Sequence, residues 1–496
     1  MKNKITSGIL ALIIVFLVSL PGCDSFLEKD PQGALTQATF PTSASDALLS
    51  VNAVYSTMLN ISFHSGTFPL MDIMSDDARK GSNPTDQSSE IGPYDNFKFT
   101  KTGYELSSWW ATLYQGIKRS NVVIEKVPAI EMDVTLRNRY VAEAKFLRAL
   151  FYFDLVRAWG DVPLVTTLNI PAGLRRTAKA DVNKQIEQDL VAAIGDLDEK
   201  KVQAASQLGR ATKGSARALL AKVYLFQGDF ANAEKYAMEV INSNVYGLEP
   251  VFTDANGVAG EHGIESVFEV GAVGLEAAGG NQFANVQGVR GTPNRGWGFN
   301  RPAPNLRASF EARDPRLKGT IIDLGDVIDG ITIMGDGTTP DVTKDEGGNI
   351  LETECYNRKV WTPGTDVPTQ FGHNRRILRY ADVLLMAAEA MNENNKSGDA
   401  LVYLNQVRLR ARQGTPSILP DIKETGKDNL RTIILNERRH ELALEGHRFW
   451  DLVRTGKAAE VLGPLGFVTG KHELLPIPQS EIDISQGALV QNPNWN

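Results

Sequence analysis

The clearest helical signal in this chain lies in residues 212–242, TKGSARALLAKVYLFQGDFANAEKYAMEVIN. Apolar and small side chains recur there at steps of three and four, and Gly228-Asp229 is a turn signal between two such runs. The residues of the pattern are Leu220, Ala221, Tyr224, Ala233, Tyr236, Ala237 and Val240. Small residues where two helices cross, with a short turn between them, are typical of a tetratricopeptide helical hairpin. The stretch therefore predicts such a hairpin.

Three other segments show the same helical periodicity. Residues 136–159 carry one apolar face and stop at the sequence GDVP, residues 160–163. Residues 380–411 repeat the hairpin pattern more loosely, and a final helix is predicted over 429–454. The fold class is therefore predicted as mainly α, with tetratricopeptide-like hairpins that are interleaved with other material and free to stack in space. Amphipathic helices without repeat packing are the alternative.

The composition of the chain changes between Gly247 and Gly372. This stretch contains 21 of the 44 glycines of the whole chain. A long irregular segment inside a compact protein is usually functional or disordered. Because large aromatic residues are rare in disordered segments, we expect ordered loops that carry a ligand-binding surface. The predicted parts are an N-terminal helical part (46–245), a loop-rich ligand-facing part (246–375) and a C-terminal helical part (376–496). The aromatic residues of the stretch include Phe283, Trp297, Phe299, Tyr356, Trp361 and Phe371.

The N-terminus reads as an export signal followed by a lipid anchor. Lys2 and Lys4 precede an apolar run over 9–20, which is shorter than the roughly 20 residues needed to span a bilayer. Cys23 follows Leu-Pro-Gly, the position at which bacterial lipoproteins receive acyl chains. We therefore predict a signal peptide over 1–22, a lipidated Cys23 and a tether over 23–45. An ordinary signal peptide with a coincidental cysteine is the alternative.

The charge of the chain restricts its partners. The formal net charge is −7, and removing Lys2 and Lys4 with the signal peptide makes it −9. Such a charge argues against nucleic acid or an anionic bilayer face as a partner. Once Cys23 is acylated, Cys355 is the only remaining cysteine, so no internal disulfide is expected.

Several segments together carry a family resemblance. The longest is NERRHELALEGHRFWDLVRTG, residues 436–456, which resembles the signature helix of the SusD/RagB family. The others are WGDVPLV (159–165), RDPRL (313–317), RYADVLL (379–385), LPIPQSEI (475–482) and QNPNW (491–495). The resemblance runs from the lipid cysteine to the C-terminus.

The resemblance implies a function. SusD-like proteins are surface lipoproteins of the Bacteroidetes outer membrane, built from tetratricopeptide helices and a loop-rich region. They capture oligosaccharides, or in some branches peptides, and form the lid of a TonB-dependent barrel of the SusC type. They are not enzymes. The resemblance therefore implies a non-catalytic protein at the cell surface that binds an oligosaccharide, with a peptide-binding member of the same family as an alternative.

The sequence offers little sign of catalysis. His440-Glu441 lacks the second histidine of a zinc-protease helix, because position 444 is Leu444. Paired carboxylates of a glycosidase cannot be recognised by counting, so a surface glycan hydrolase is one alternative. A tetratricopeptide scaffold without a ligand is another.

Two groups of charged residues have a structural interpretation. Charged residues of the signature helix recur at three- and four-residue steps, so we expect them to form charge ladders along the helix. These are Glu437, Arg438, Glu441, Glu445 and Arg448. Four aspartates, Asp323, Asp326, Asp329 and Asp336, lack the spacing of a calcium loop, so loop solvation is the favoured role and structural calcium the alternative.

A sugar site needs flat aromatic faces beside planar polar groups. Trp297 and Phe299 meet this requirement, since Asn294, Arg295, Asn300 and Arg301 flank them. Trp361 is a second candidate, and packing under a loop is the alternative role for each of these rings. By resemblance, the segment from Asp76 to Tyr94 adds Asp77, Arg79 and Tyr94, whereas Trp109 and Trp110 are assigned to the core. The predicted ligand contacts are Asp77, Arg79, Tyr94, Trp297, Phe299, Arg301 and Trp361, with no metal site and no catalytic residue.

Overall fold

The computed structural model describes residues 40–171, 173–274, 281–344, 346–348, 350–363 and 372–495. Ser43–Asn496 forms one structural unit. The predicted signal peptide, Cys23, most of the tether and Phe371 lie outside the described residues. In the described part of the chain, no helix combines the length and the apolar character needed to cross a bilayer.

The described residues are mainly α-helical, as predicted, and their sixteen α-helices are numbered α1 to α16 in chain order. The helices are α1 (Ala44–Ser56), α2 (Leu70–Ile73), α3 (Tyr104–Lys126), α4 (Val134–Trp159), α5 (Lys179–Asp196), α6 (Lys213–Gln227), α7 (Phe230–Asn242), α8 (Phe283–Gln287), α9 (Pro304–Ser309), α10 (Arg316–Thr320), α11 (Tyr380–Glu393), α12 (Ser397–Ala411), α13 (Lys427–Leu442), α14 (Arg448–Arg454), α15 (Ala458–Leu462) and α16 (Gln479–Ile484).

The long helices pack as successive neighbours. Each helix from α3 to α6 packs against the next one in sequence, and α7 then packs against α11. Helix α11 in turn packs against α12 and α13. The predicted hairpins are α6–α7 and α11–α12, and the contact between α7 and α11 joins them across the loop-rich region. The prediction that the hairpins stack in space is therefore confirmed.

Local sequence explains the first hairpin. The Thr212 and Ser215 side chains form a capping box at the start of α6. Gly228 ends α6 with φ +75°, a left-handed conformation that glycine adopts without steric cost. The Asp229 side chain caps the start of α7, and Ala233 is fully buried where the helices meet. The turn and the small residues therefore act as the sequence predicts.

The predicted continuous helix over 429–454 is wrong. The segment forms two helices, α13 and α14. The chain breaks between them because Leu444 and Gly446 have left-handed backbone conformations, with φ values of +62° and +79°. The Leu444 side chain is buried against Ala78, and the Gly446 N–H donates to Asp72 Oδ1 at 2.8 Å. These contacts with a distant part of the chain stabilise the break. Helices α15 and α16 follow, so α14 is not the final helix.

Ten short strands in the described residues form five antiparallel pairs. The pair β1–β3 connects the N-terminal part to the loop-rich part. The pair β2–β10 joins two strands that lie near the two ends of the loop-rich part. The strands are β1 (Ala78–Gly81), β2 (Ser266–Val270), β3 (Phe299–Pro302), β4 (Ile321–Asp323), β5 (Val327–Ile328), β6 (Ile331–Thr332), β7 (Val342–Lys344), β8 (Ile350–Thr353), β9 (Cys355–Asn357) and β10 (Arg375–Arg379), and the remaining pairs are β4–β9, β5–β6 and β7–β8.

The main apolar core lies among the helices, and the loop-rich part has a smaller cluster of its own. The smaller cluster consists of Val289, Ile322, Ile328, Ile333, Tyr356 and Trp361. The described loops are thus packed around buried side chains.

The charged residues of the signature helix form a structural network, as predicted, but the predicted ladder along the helix is wrong. Glu441 is fully buried and accepts hydrogen bonds from Arg316 (3.3 Å), Arg379 (3.2 Å) and Arg410. The other pairs also reach separate elements: Glu437 with Arg316 and Arg408, Arg438 with Asp382 and Asp451, Glu445 with Arg379 and Lys359, and Arg448 with Asp76. The charges pair across the core because this part of the chain is covered by other elements.

Candidate functional site

A cleft of about 740 Å³ lies where the N-terminal part meets the loop-rich part. It brings residues of the 85–87 segment together with residues between 290 and 336. Its lining consists of Phe68, Thr85, Asp86, Gln87, Arg290, Gly291, Asn294, Gly296, Trp297, Phe299 and Asp336. The cleft therefore combines an aromatic wall with amide, hydroxyl and charged groups.

Trp297 is the large aromatic residue whose ring is open to this cleft, with 37% of the residue exposed. Its backbone N–H donates to the Asn285 carbonyl at 2.8 Å. A Cβ at Gly296 would lie 2.2 Å from that same carbonyl oxygen, and Gly298 has φ +76°. The two glycines thus let the backbone approach its neighbours closely while Trp297 stays partly exposed in the cleft lining.

Arg290 lies between two carboxylates of the cleft. Its Nε donates to Asp336 Oδ2 at 2.6 Å, and its Nη1 donates to Asp86 and to Ser82 Oγ (2.7 Å). All three charged side chains are at least partly buried, with 12–35% of each exposed. We call this arrangement the Asp86–Arg290–Asp336 clamp.

The clamp keeps both carboxylates ionised. Burial alone would raise the pKa of Asp86, but hydrogen bonds from Arg290 and Ser82 outweigh it and lower that pKa. Burial also opposes ionisation of Asp336, yet the backbone N–H groups of Thr339 and Thr338 and the Arg290 guanidinium lower its pKa strongly. Both carboxylates are therefore hydrogen-bond acceptors at neutral pH.

Phe299 forms part of the cleft wall but is only 5% exposed. Its ring packs against Phe68 at a centroid distance of 4.6 Å, and Lys80 Nζ lies 5.5 Å from the ring centroid. The side chain thus supports the wall beside Trp297.

The β1–β3 pair places two other predicted contacts beside the cleft. Arg79 and Arg301 are register partners on this pair. Arg301 is buried, with its guanidinium on Glu352 (2.8 Å) and on the Ser82 carbonyl (3.0 Å). Arg79 Nη1 donates to the Ala78 carbonyl at 2.8 Å. Neither residue lines the cleft, so a direct ligand contact by either stays a prediction.

Three further predicted contacts have buried side chains away from the lining. The fully buried Asp77 accepts a hydrogen bond from Arg439 Nε at 2.6 Å. The Tyr94 ring stacks on Phe99 with a centroid distance of 4.7 Å, and burial raises its pKa. Trp361 is 9% exposed and donates to Asp329 Oδ2 at 2.8 Å. Ligand contact by Asp77, Tyr94 or Trp361 stays a prediction, and their placement favours structural support.

Sequence reasoning missed Asp86, Arg290 and Asp336 as site residues. Arg290 lies 204 positions from Asp86 and 46 positions from Asp336. The only sequence signal was the polar character of the loop between Arg79 and Tyr94, which contains Asp86. No local spacing indicates the clamp.

The four aspartates considered for calcium are engaged by side chains of the protein. Their contacts are Asp323 with Arg307 and Lys318, Asp326 with Lys318, Asp329 with Trp361, and Asp336 with Arg290. Elsewhere in the described residues, Glu311, Glu437 and His440 bring possible ligand atoms close together. Arg408 pairs with both of those carboxylates, at 2.6 and 2.7 Å.

A second cavity, of about 540 Å³, has a mainly apolar lining that includes Trp110, Tyr114, Ile170 and Ile484. Trp109 and Trp110 are both 2% exposed, so their assignment to the core is confirmed. Because a sugar site needs several polar groups beside an aromatic face, the cleft at Trp297 fits a sugar better.

The chain matches known proteins over most of its length. Residues 265–466 match the SusD family, and residues 26–225 match the family described as starch-binding associating with outer membrane. SusD-like protein P2 of Formosa agariphila is 31% identical over 100% of both chains. A SusD-like protein of Bacteroides ovatus is 27% identical, with 91% of this chain and 83% of that one covered.

Solved structures agree with these matches. A laminarin binding SusD-like protein is 32% identical, with a TM-score of 0.76 over 92% of this chain and 100% of that chain. Surface glycan-binding protein A from Bacteroides thetaiotaomicron, solved in complex with laminarihexaose, is 26% identical, with a TM-score of 0.75 over 91% and 100% of the two chains. The fold, the two family matches and the full-length relative agree, and the chain belongs to the SusD family.

Proposed function

We propose that this protein binds an oligosaccharide in the cleft around Trp297. The observation that carries the proposal is the partly exposed Trp297 ring beside Asn294, Gln87 and the ionised Asp86. The ring offers a flat apolar face for the C–H side of a pyranose, while the amides and the carboxylate bond hydroxyl groups. Relatives that bind laminarin and laminarihexaose support a glycan as ligand and make laminarihexaose the first ligand to test.

We infer binding without turnover. A glycosidase needs one carboxylic acid that stays protonated to protonate the leaving oxygen, and this requires a raised pKa. The pKa of Asp86 is lowered mainly by hydrogen bonds from Arg290 and Ser82, and that of Asp336 mainly by hydrogen bonds from Thr339 and Thr338. The carboxylates of the cleft are therefore suited to accept hydrogen bonds from hydroxyls rather than to donate a proton.

Trp297→Ala is expected to weaken laminarihexaose binding about tenfold or more, since stacking on an aromatic ring contributes about 1–3 kcal/mol by analogy with nucleic-acid bases. The melting temperature should change little, because the ring is partly exposed. Calorimetric titration of laminarihexaose and an array of other oligosaccharides measures the effect. The control is Tyr104→Ala, which removes a 70% exposed ring outside the cleft lining.

Equal affinity of wild type and Trp297→Ala for every glycan that binds would contradict this site. Product analysis of the same mixtures tests for turnover, and release of shorter sugars would favour the hydrolase alternative. A protein that binds no glycan in the array would favour a scaffold without a ligand.

We further propose that Cys23 anchors the protein to the outer membrane at the cell surface, where it forms the lid of a SusC-like TonB-dependent barrel. The family described as starch-binding associating with outer membrane supports the location, and the lid role is what the SusD resemblance implies.

Membrane fractionation followed by mild-detergent purification tests the anchor and the partner together. The wild type should stay with membranes and co-purify a large outer-membrane protein, whereas Cys23→Ala should leave the membrane fraction or accumulate as precursor. A Cys23→Ala protein that is cut and still fully membrane-bound would refute the anchor. A lone lipoprotein at native expression levels would refute the lid role.

A further inference from the structure

The charges of the cleft are unevenly distributed. Among the lining residues that the structure describes, only Asp86, Arg290 and Asp336 are charged, so the lining carries one excess negative charge. Both carboxylates pair with the single cation, Arg290. The guanidinium is therefore already engaged, with its Nη1 also donating to Ser82 Oγ.

Two neighbouring cations lie outside the cleft lining, although the charge of one of them, Lys80, helps to lower the pKa of Asp86. Lys80 is buried, and its ammonium donates to the carbonyls of Gly81 (2.7 Å), Asn83 (3.0 Å) and Asp86 (2.8 Å). The Arg295 guanidinium lies 5.8 Å from the ring centroid of the buried Trp361, outside the cleft lining. The polar groups left for a ligand are two amides, a hydroxyl and the Asp86 carboxylate, which suit the hydroxyls of a sugar.

We propose that the Asp86–Arg290–Asp336 clamp restricts the cleft to uncharged glycans and excludes chains that carry uronate or sulfate groups. The inference rests on the proposed function, since it names the class of glycan for the same cleft. A bound anionic sugar would face ionised carboxylates, and its own charge would have to displace one of them from Arg290. A neutral sugar leaves the clamp intact and uses Asp86 as an acceptor, since Asp336 already accepts hydrogen bonds from Arg290, Thr338 and Thr339.

A matched pair of ligands tests the charge selectivity. The pair is laminarihexaose, or the best neutral binder of the oligosaccharide array, and the same chain oxidised at C6 to the uronate. The wild type should bind the oxidised form at least about fivefold more weakly, which is the effect of two like charges about 4 Å apart in bulk water. Raising the salt from about 0.01 M to about 1 M shortens the screening length from about 30 Å to about 3 Å. The higher salt concentration should therefore reduce the difference in affinity between the neutral and the oxidised glycan, because salt screens the repulsion between like charges.

Asp86→Asn gives a second test, because it keeps the shape of the side chain and removes one negative charge. The ratio of affinities, oxidised over neutral, should rise at least about fivefold relative to the wild type. The control is Asp399→Asn, the same change at an exposed residue of α12 outside the lining, which should leave the ratio unchanged.

The outcomes separate the inference from the proposed function. Binding of the oxidised form as tight as that of the neutral form, or tighter at low salt, would overturn the neutral-glycan inference and leave glycan binding in place. If Asp86→Asn leaves the ratio of oxidised to neutral affinity unchanged, the clamp is not the cause of the charge selectivity. Absence of binding by either form and by the whole array would overturn both proposals.

Discussion

Glu441→Gln is expected to lower the free energy of unfolding by about 3–5 kcal/mol, the usual cost of removing one partner from a buried ion pair. Glu441 is fully buried and bonds the guanidinium groups of Arg316, Arg379 and Arg410. Glutamine keeps the size of the side chain but removes the charge, so three buried cations lose part of their compensation. Urea unfolding of the folded domain, followed by circular dichroism, measures the change.

Glu460→Gln provides the matched control, since it makes the same substitution in the exposed Lys457–Glu460 pair. Exposed pairs contribute about 0–1 kcal/mol, so this variant should unfold almost as the wild type does. A Glu441→Gln protein that loses no more stability than the control would show that the buried network tolerates the loss of its central carboxylate.

Trp450→Ala is the second large effect, with an expected loss of about 3–5 kcal/mol in the free energy of unfolding. The Trp450 ring is 4% exposed, packs against Phe449 at a centroid distance of 5.1 Å and lies under the Arg157 guanidinium at 5.1 Å. Truncation leaves a cavity that the surrounding helices cannot fill completely. Thermal and urea unfolding measure the loss.

The comparison with Trp297→Ala separates stability from binding. Trp450→Ala should lower the melting temperature and leave the affinity of the folded fraction for glycan unchanged, and Trp297→Ala should do the reverse. Loss of glycan affinity in a folded Trp450→Ala protein would mean that the signature helix contributes to the site.

The helical frame could be predicted because its signals are local. The Thr212 cap, the Gly228 turn and the buried Ala233 all lie within a single hairpin, so spacing alone reveals them. The break between α13 and α14 could not be predicted in this way. The break depends on Asp72, which accepts a hydrogen bond from the Gly446 N–H although the two residues are 374 positions apart.

The site was predictable only in part, for the same reason. Trp297 stands between glycines in a polar segment, and this local pattern indicates an exposed ring. The Asp86–Arg290–Asp336 clamp is assembled from distant positions, so no spacing reveals it. Trp361 was harder to place, because composition does not show that the loops possess an apolar cluster able to bury it.

The antiparallel pairing of β2 with β10 has a consequence for how such proteins diversify. Val270 and Arg375 are register partners. The segment between them therefore leaves the helical part of the protein and returns to it at adjacent positions. The entropy of closing a loop grows only with the logarithm of its length, and each doubling costs about 0.6 kcal/mol. The loops that carry Arg290, Trp297 and Asp336 can therefore be lengthened or shortened at little cost in closure entropy, provided that Arg316 and Lys359, which pair with buried carboxylates of the signature helix, are kept. New ligand preferences can arise there while the stacked hairpins stay the same.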